Sequence, residues 1–130
     1  MPGSYLSIPQ RNPVLKELSI SSLGVYSSFA KYFVIIAPSC THHNSFKPVD
    51  KETYQRRGWC RLEQWARMTV GGLQNMFLFQ GGEMIALDGE RKWYTDSIRV
   101  FDGDFTVDAD KKKIVDTSIG LWSQALVTTR

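Results

Sequence analysis

Tyr32-Phe33-Val34-Ile35-Ile36-Ala37 is the run on which the fold turns. It is continuously apolar, rich in β-branched and aromatic side chains, and ended by Pro38. A strand buried on both faces reads this way, as in a parallel sheet covered by helices. Upstream, Tyr5-Leu6-Ser7-Ile8 reads as a short strand. Pro9 and Pro13 follow, and proline suits a first helical turn. Val14, Leu15, Leu18, Val25, Tyr26 and Phe29 then have helical spacing to about Ala30, with Gly24 a soft spot inside.

Downstream, residues 39–50 are polar, contain Pro48 and read as a loop. Asp50 is placed to cap a helix whose third residue is Thr53. That helix carries Glu52 to Val70, breaks at Gly58 and stops at Gly71-Gly72. Asn75 to Gln80 is a second apolar strand, and Gly81-Gly82 turns it into Glu83 to Leu87. Asp88-Gly89 and Asp102-Gly103 are hairpin dipeptides, the second joining Ile98–Phe101 to Asp104–Val107. Asp108 caps a last helix with Ile114, Ser118, Leu121, Trp122 and Ala125 along one face. The alternation predicts one α/β domain over residues 1–130: a three-layer sandwich with a parallel sheet core and an antiparallel hairpin region near the C-terminus.

At 130 residues and 42% hydrophobic, the chain supports one packed core. Its longest apolar run, Tyr32 to Pro38, is far short of the roughly 20 residues of a membrane span. Met1 to Pro13 holds no signal-peptide stretch. Two cysteines, Cys40 and Cys60, make no disulfide framework and are expected as reduced thiols in the cytoplasm. The net charge of +3 is dispersed. Even Arg56-Arg57-Arg61 and Lys111-Lys112-Lys113 have acids nearby (Glu52, Glu63, Asp108, Asp110), which reads as a solvated, ion-paired surface rather than a nucleic-acid footprint.

Chemistry, if present, sits in Arg56-Arg57-Gly58-Trp59-Cys60-Arg61-Leu62-Glu63. On a helix Trp59, Leu62, Ala66 and Val70 share one face, expected to pack on the sheet, while Cys60, Glu63 and Arg67 share the next. Ligands of open α/β sheets bind beyond the carboxyl ends of the strands, and Glu63 falls near that edge. A carboxylate there suits a ribose or a cationic transition state. The plainer reading is an exposed glutamate paired with Arg67 or Arg61. Cys60 is a nucleophile, with His42 or His43 as base, or a core side chain beside Trp59. Cys40, His42, His43 and Cys60 are zinc-ligand types, but Cys-x-His-His is not a standard pair and no metal site is assigned. No glycine-rich phosphate loop is present. The four tryptophans, Trp59, Trp65, Trp93 and Trp122, read mostly as core, with Trp65 and Trp93 as candidates for a contact surface.

The run from Pro13 to Glu63 resembles the middle of a TIR (Toll/interleukin-1 receptor-like) domain. There an amphipathic helix leads to a strand of the type Val-Val-Val-Leu-Ser, then a loop, then a helix opening Trp-Cys-x-x-Glu. The matching pieces are Phe33-Val34-Ile35-Ile36-Ala37 and Trp59-Cys60-Arg61-Leu62-Glu63. The whole chain is also similar to uncharacterised TIR-like proteins of single-celled algae, through Arg57-to-Glu63 and Gly103-Asp104-Phe105-Thr106-Val107. The resemblance implies a flavodoxin-like sheet and a signalling or assembly module working through protein partners or self-association. Its alternative implication is an NAD-cleaving hydrolase with Glu63 as the catalytic residue, NAD as substrate, and Trp59 and Cys60 as cofactor-binding candidates. The first TIR strand and its nucleotide loop have no counterpart here, so a domain shortened at its N-terminus, a rearranged sheet, or an edge completed by another chain is expected. The loop from Ser39 to Gly58 is also longer than in ordinary TIR domains.

Overall fold

The computed structural model describes residues 8–9, 11–88, 91–97 and 99–128. The strand expected at Tyr5-Leu6-Ser7-Ile8 lies outside them except for Ile8, which sits in a bend. The first helix, α1, spans Pro13–Phe29. Asn12 caps it, its side chain accepting from the amides of Val14 and Leu15 at 3.1 and 3.0 Å, with Pro13 at the first helical position.

Strand β1 (Phe33–Ile36) pairs in parallel with β4 (Met76–Gln80), and β4 pairs antiparallel with β5 (Glu83–Ala86). Among the described residues the order is β1-β4-β5, so the sheet is mixed and β1 stands at its edge. Gly81 and Gly82, both at positive φ, make the tight turn between β4 and β5. The polar loop holds a small antiparallel pair, β2 (Cys40–Thr41) with β3 (Pro48–Val49). Helix α2 (Lys51–Arg56) opens with the expected cap: Asp50 accepts from the Thr53 amide at 2.9 Å, and Thr53 Oγ1 accepts from the Asp50 amide at 2.7 Å. Helix α3 (Gly58–Gly71) follows after one extended residue, Arg57, and ends on Gly72. Helix α4 (Arg91–Ser97), a 3₁₀ turn at Val100–Asp102 and helix α5 (Ala109–Thr128) complete the chain.

Two apolar clusters hold these elements. Ile35, Ala37, Met76, Leu78 and Leu87 bury one face of the sheet against Met68 of α3 and Trp93 of α4. Leu62, Trp65 and Ala66, on the far side of α3, pack with Val100, Ile114 and Leu121, flanked by Trp59 and Phe105. Helix α3 is thus buried on both sides, between the sheet and α5.

Five expectations change. Strand β1 is not buried on both faces: Ile35 is 1% exposed, but Val34 and Ile36 are 41% and 66% exposed. Trp59, Leu62 and Ala66 face α5 rather than the sheet, because the sheet takes the other side of α3. The predicted apolar face of α1 points outward, and the helix buries Gly24 and Ser28 instead. A methyl at Gly24 would lie 2.9 Å from Thr117 and 3.1 Å from Leu121, so the missing side chain lets α1 approach α5 closely. The Ile98–Val107 hairpin is absent among the described residues: Val100–Asp102 form the 3₁₀ turn, and Asp104 bridges to Arg57. Likewise a helix, α4, follows the Asp88-Gly89 turn, of which Gly89 lies outside the described residues. Among the described residues, no helix is long and apolar enough to cross a membrane.

Candidate functional site

The break between α2 and α3 shapes the region around Glu63. Arg57 is extended, and Gly58 donates its amide to the Asp104 carbonyl at 3.0 Å, while the Asp104 amide donates to Arg56. The Phe105 ring occupies the space over Gly58, where a methyl would sit 1.8 Å from it. The two segments that carry the family resemblance, Arg57-Gly58-Trp59 and Gly103-Asp104-Phe105, therefore touch each other. Trp59 reaches past this contact and donates its indole N–H to Asp110 Oδ2 at 3.2 Å. Its ring packs against the α5 cluster, so Trp59 anchors α5.

The helix break also brings Tyr54 of α2 beside Cys60 and Glu63 of α3, with Arg57 close enough to act electrostatically on all three. Glu63 is half-buried. Burial raises its carboxyl from 4.5 to about 7, and the nearby Arg57 charge only partly opposes this. Among the described residues it has no ion-pair partner within 4 Å. Arg67 instead donates to the Gln74 carbonyl at 2.7 Å, and Arg61 to the carbonyls of Gln55 and Arg99 at 2.6 and 3.0 Å. The pairing with Arg61 or Arg67 expected of an exposed glutamate is thus replaced by a shielded carboxyl that changes charge near neutrality. Such a group suits proton transfer.

Cys60 does not suit nucleophilic attack. It is buried, and burial pushes its thiol up to about 12, so the thiolate is scarce at neutral pH. The Tyr54 hydroxyl is raised well above 10 by burial and by the neighbouring Cys60 and Glu63. Cys40 is exposed on β2, away from Cys60 in the core of α3. His42 accepts from the Ser45 amide at 3.2 Å, within its own loop. Among the described residues, no group of three or more His, Cys, Asp or Glu side chains is placed to hold a metal ion.

Two polar residues of α3 complete the region: Gln64, which the motif reading passed over, and Arg67, which it took as a surface partner of Glu63. Gln64 is fully buried, donates to the Cys60 carbonyl at 2.9 Å and accepts the Trp93 indole N–H at 2.7 Å, tying α4 to α3. Arg67 is buried with its Nε unpaired. A polar side chain at helical spacing between Cys60 and Met68, both apolar, was the available signal for Gln64. Trp65 and Trp93, read as a contact surface, are both core. An open groove of about 520 Å³ lies beside the region, lined by Arg56, Arg61, Arg99, Asp50 and Asp102 among others; Glu63 is not on its wall. No protein-family model matches this chain, and no curated protein or solved structure matches it either.

Proposed function

We propose that this chain is a TIR-like signalling or assembly module of the cytoplasm that acts through protein–protein contacts, including its own self-association. The observation that carries this reading is the second face of the sheet. Side chains in register share a face, so Val34, Ile36, Phe77, Phe79, Met84 and Ala86 lie together opposite the core. Val34, Ile36 and Met84 are among the exposed apolar residues, and among the described residues helices cover only the other face. Adjacent apolar side chains left in water favour association, since burial is worth about 25 cal/mol per Å². In this reading a partner supplies the third layer of the sandwich. Light scattering across a concentration series tests it: a mass rising above the 14.8 kDa monomer supports the module, and a constant monomer at every concentration and salt level contradicts it.

A second reading has its own observation. Glu63, half-buried, without an ion-pair partner among the described residues and raised to about 7, favours a carboxyl that takes part in cleaving the nicotinamide–ribose bond of NAD. Nicotinamide release from NAD by the wild type, lost in Glu63→Ala, would establish it. No release from either protein would end it.

A further inference from the structure

Among the described residues no strand pairs with the outer side of β1, and its backbone says which partner fits that edge. The amides of Phe33 and Ala37 donate to Asn75 and Phe79 across the β1–β4 pair, at 2.9 and 3.5 Å. Alternation along the strand then turns the N–H and C=O groups of Val34 and Ile36 away from β4, toward the free edge. Natural edges are kept from pairing by charged side chains, prolines or bulges. Phe33-Val34-Ile35-Ile36 carries no charge and no proline, and its register with β4 runs without a bulge.

We infer that β1 pairs antiparallel with β1 of a second copy of this chain, about a twofold axis at Ile35. This rests on the assembly reading above. The register follows from parity. Opposed residues must lie on the same face, and both must point their backbone groups across the join. Val34 opposite Ile36 of the second copy meets both conditions, with each pair exchanging two N–H···O bonds. The three-stranded sheet is doubled, and its two open apolar faces become one surface, with Val34 and Ile36 side by side across the join. The nearest charge, Lys31, falls at opposite ends of the paired strands in the two copies. The separation of roughly 25 Å is beyond screening range, so like charges do not oppose the pairing. A four-residue edge is only about 13 Å long. That is a minor part of the roughly 800 Å² per partner a stable dimer buries, so the dimer is reversible and concentration-dependent.

Sedimentation equilibrium of the full chain, from ~5 to ~500 μM, reads this directly. The wild type is expected to climb from monomer toward twice its mass. Ile36→Pro removes an N–H that has no partner among the described residues and that an edge strand tolerates losing. It is expected to weaken the dimer roughly tenfold or more, with the circular dichroism of the wild type. Ile36→Lys places a charge in the join, is expected to do the same, and decides the matter if the proline variant misfolds. A wild type that associates while both variants associate equally well overturns the β1 pairing and leaves the assembly reading standing. A wild type that stays monomeric throughout overturns both.

Discussion

Ile35 and Ile36 are neighbours of identical chemistry, yet one is 1% and the other 66% exposed. They belong to the two faces of one sheet. On the Ile35 side the centre of the sheet is closed: Leu78 and Met76 pack beneath α3, and the buried polar groups of Gln64 and Trp93 satisfy each other, with Ile85 of β5 left 42% exposed on that face. On the Ile36 side the side chains are equally apolar and nothing in the described residues covers them. The contrast shows that hydrophobicity alone does not place a residue in a core. One face stabilises the fold, and the other is left for association.

The sharpest way to break this contrast is to shorten each isoleucine. Ile35→Ala is expected to lose about 2–5 kcal/mol in chemical denaturation, the usual cost of emptying a packed site. Ile36→Ala is expected to change monomer stability by no more than ~0.5 kcal/mol, as for a surface position. Equal losses would mean that both faces are core.

A pH titration of stability probes the next effect. The Glu63 carboxyl is raised in the fold from 4.5 to about 7, so between those values the native state holds the extra proton. Stability is then full below pH 4.5 and falls as pH rises toward and through 7, by on the order of 3 kcal/mol. Glu63→Gln is expected to flatten that slope. A slope left unchanged by Glu63→Gln would show that Glu63 ionises as readily in the fold as out of it. Smaller still is Gln64→Leu, which leaves the Trp93 N–H without its acceptor and is expected to cost about 1–3 kcal/mol. Least is Asp50→Ala, which removes the cap of α2 for about 1 kcal/mol by thermal melting.

Much of the chain was legible because its signals are local. Pro13, Asp50, Gly58 and Gly72 mark helix ends through groups within a few residues, and the Gly81-Gly82 turn needs only its own backbone. What was not legible depends on partners distant in sequence. The apolar stripe of α1 looked like a buried face, but Gly24 and Ser28 allow a closer approach to the rest of the fold on the other side. Ile98-Arg99-Val100-Phe101 has strand composition, yet Val100 is drawn into the α5 cluster and Phe105 seats on Gly58. Glu63 was found as a position. Its environment was not, because Tyr54 reaches it only through the extended residue Arg57 between α2 and α3.

Amide exchange at Ile35 and Ile36, followed by nuclear magnetic resonance at low and high protein concentration, tests the two-faced, open-edged sheet most directly. The Ile35 amide is expected to exchange slowly at both concentrations. The Ile36 amide is expected to exchange fast when the protein is dilute and to slow markedly when it is concentrated. An Ile36 amide already slow in dilute solution, or fast at both concentrations, would contradict the account.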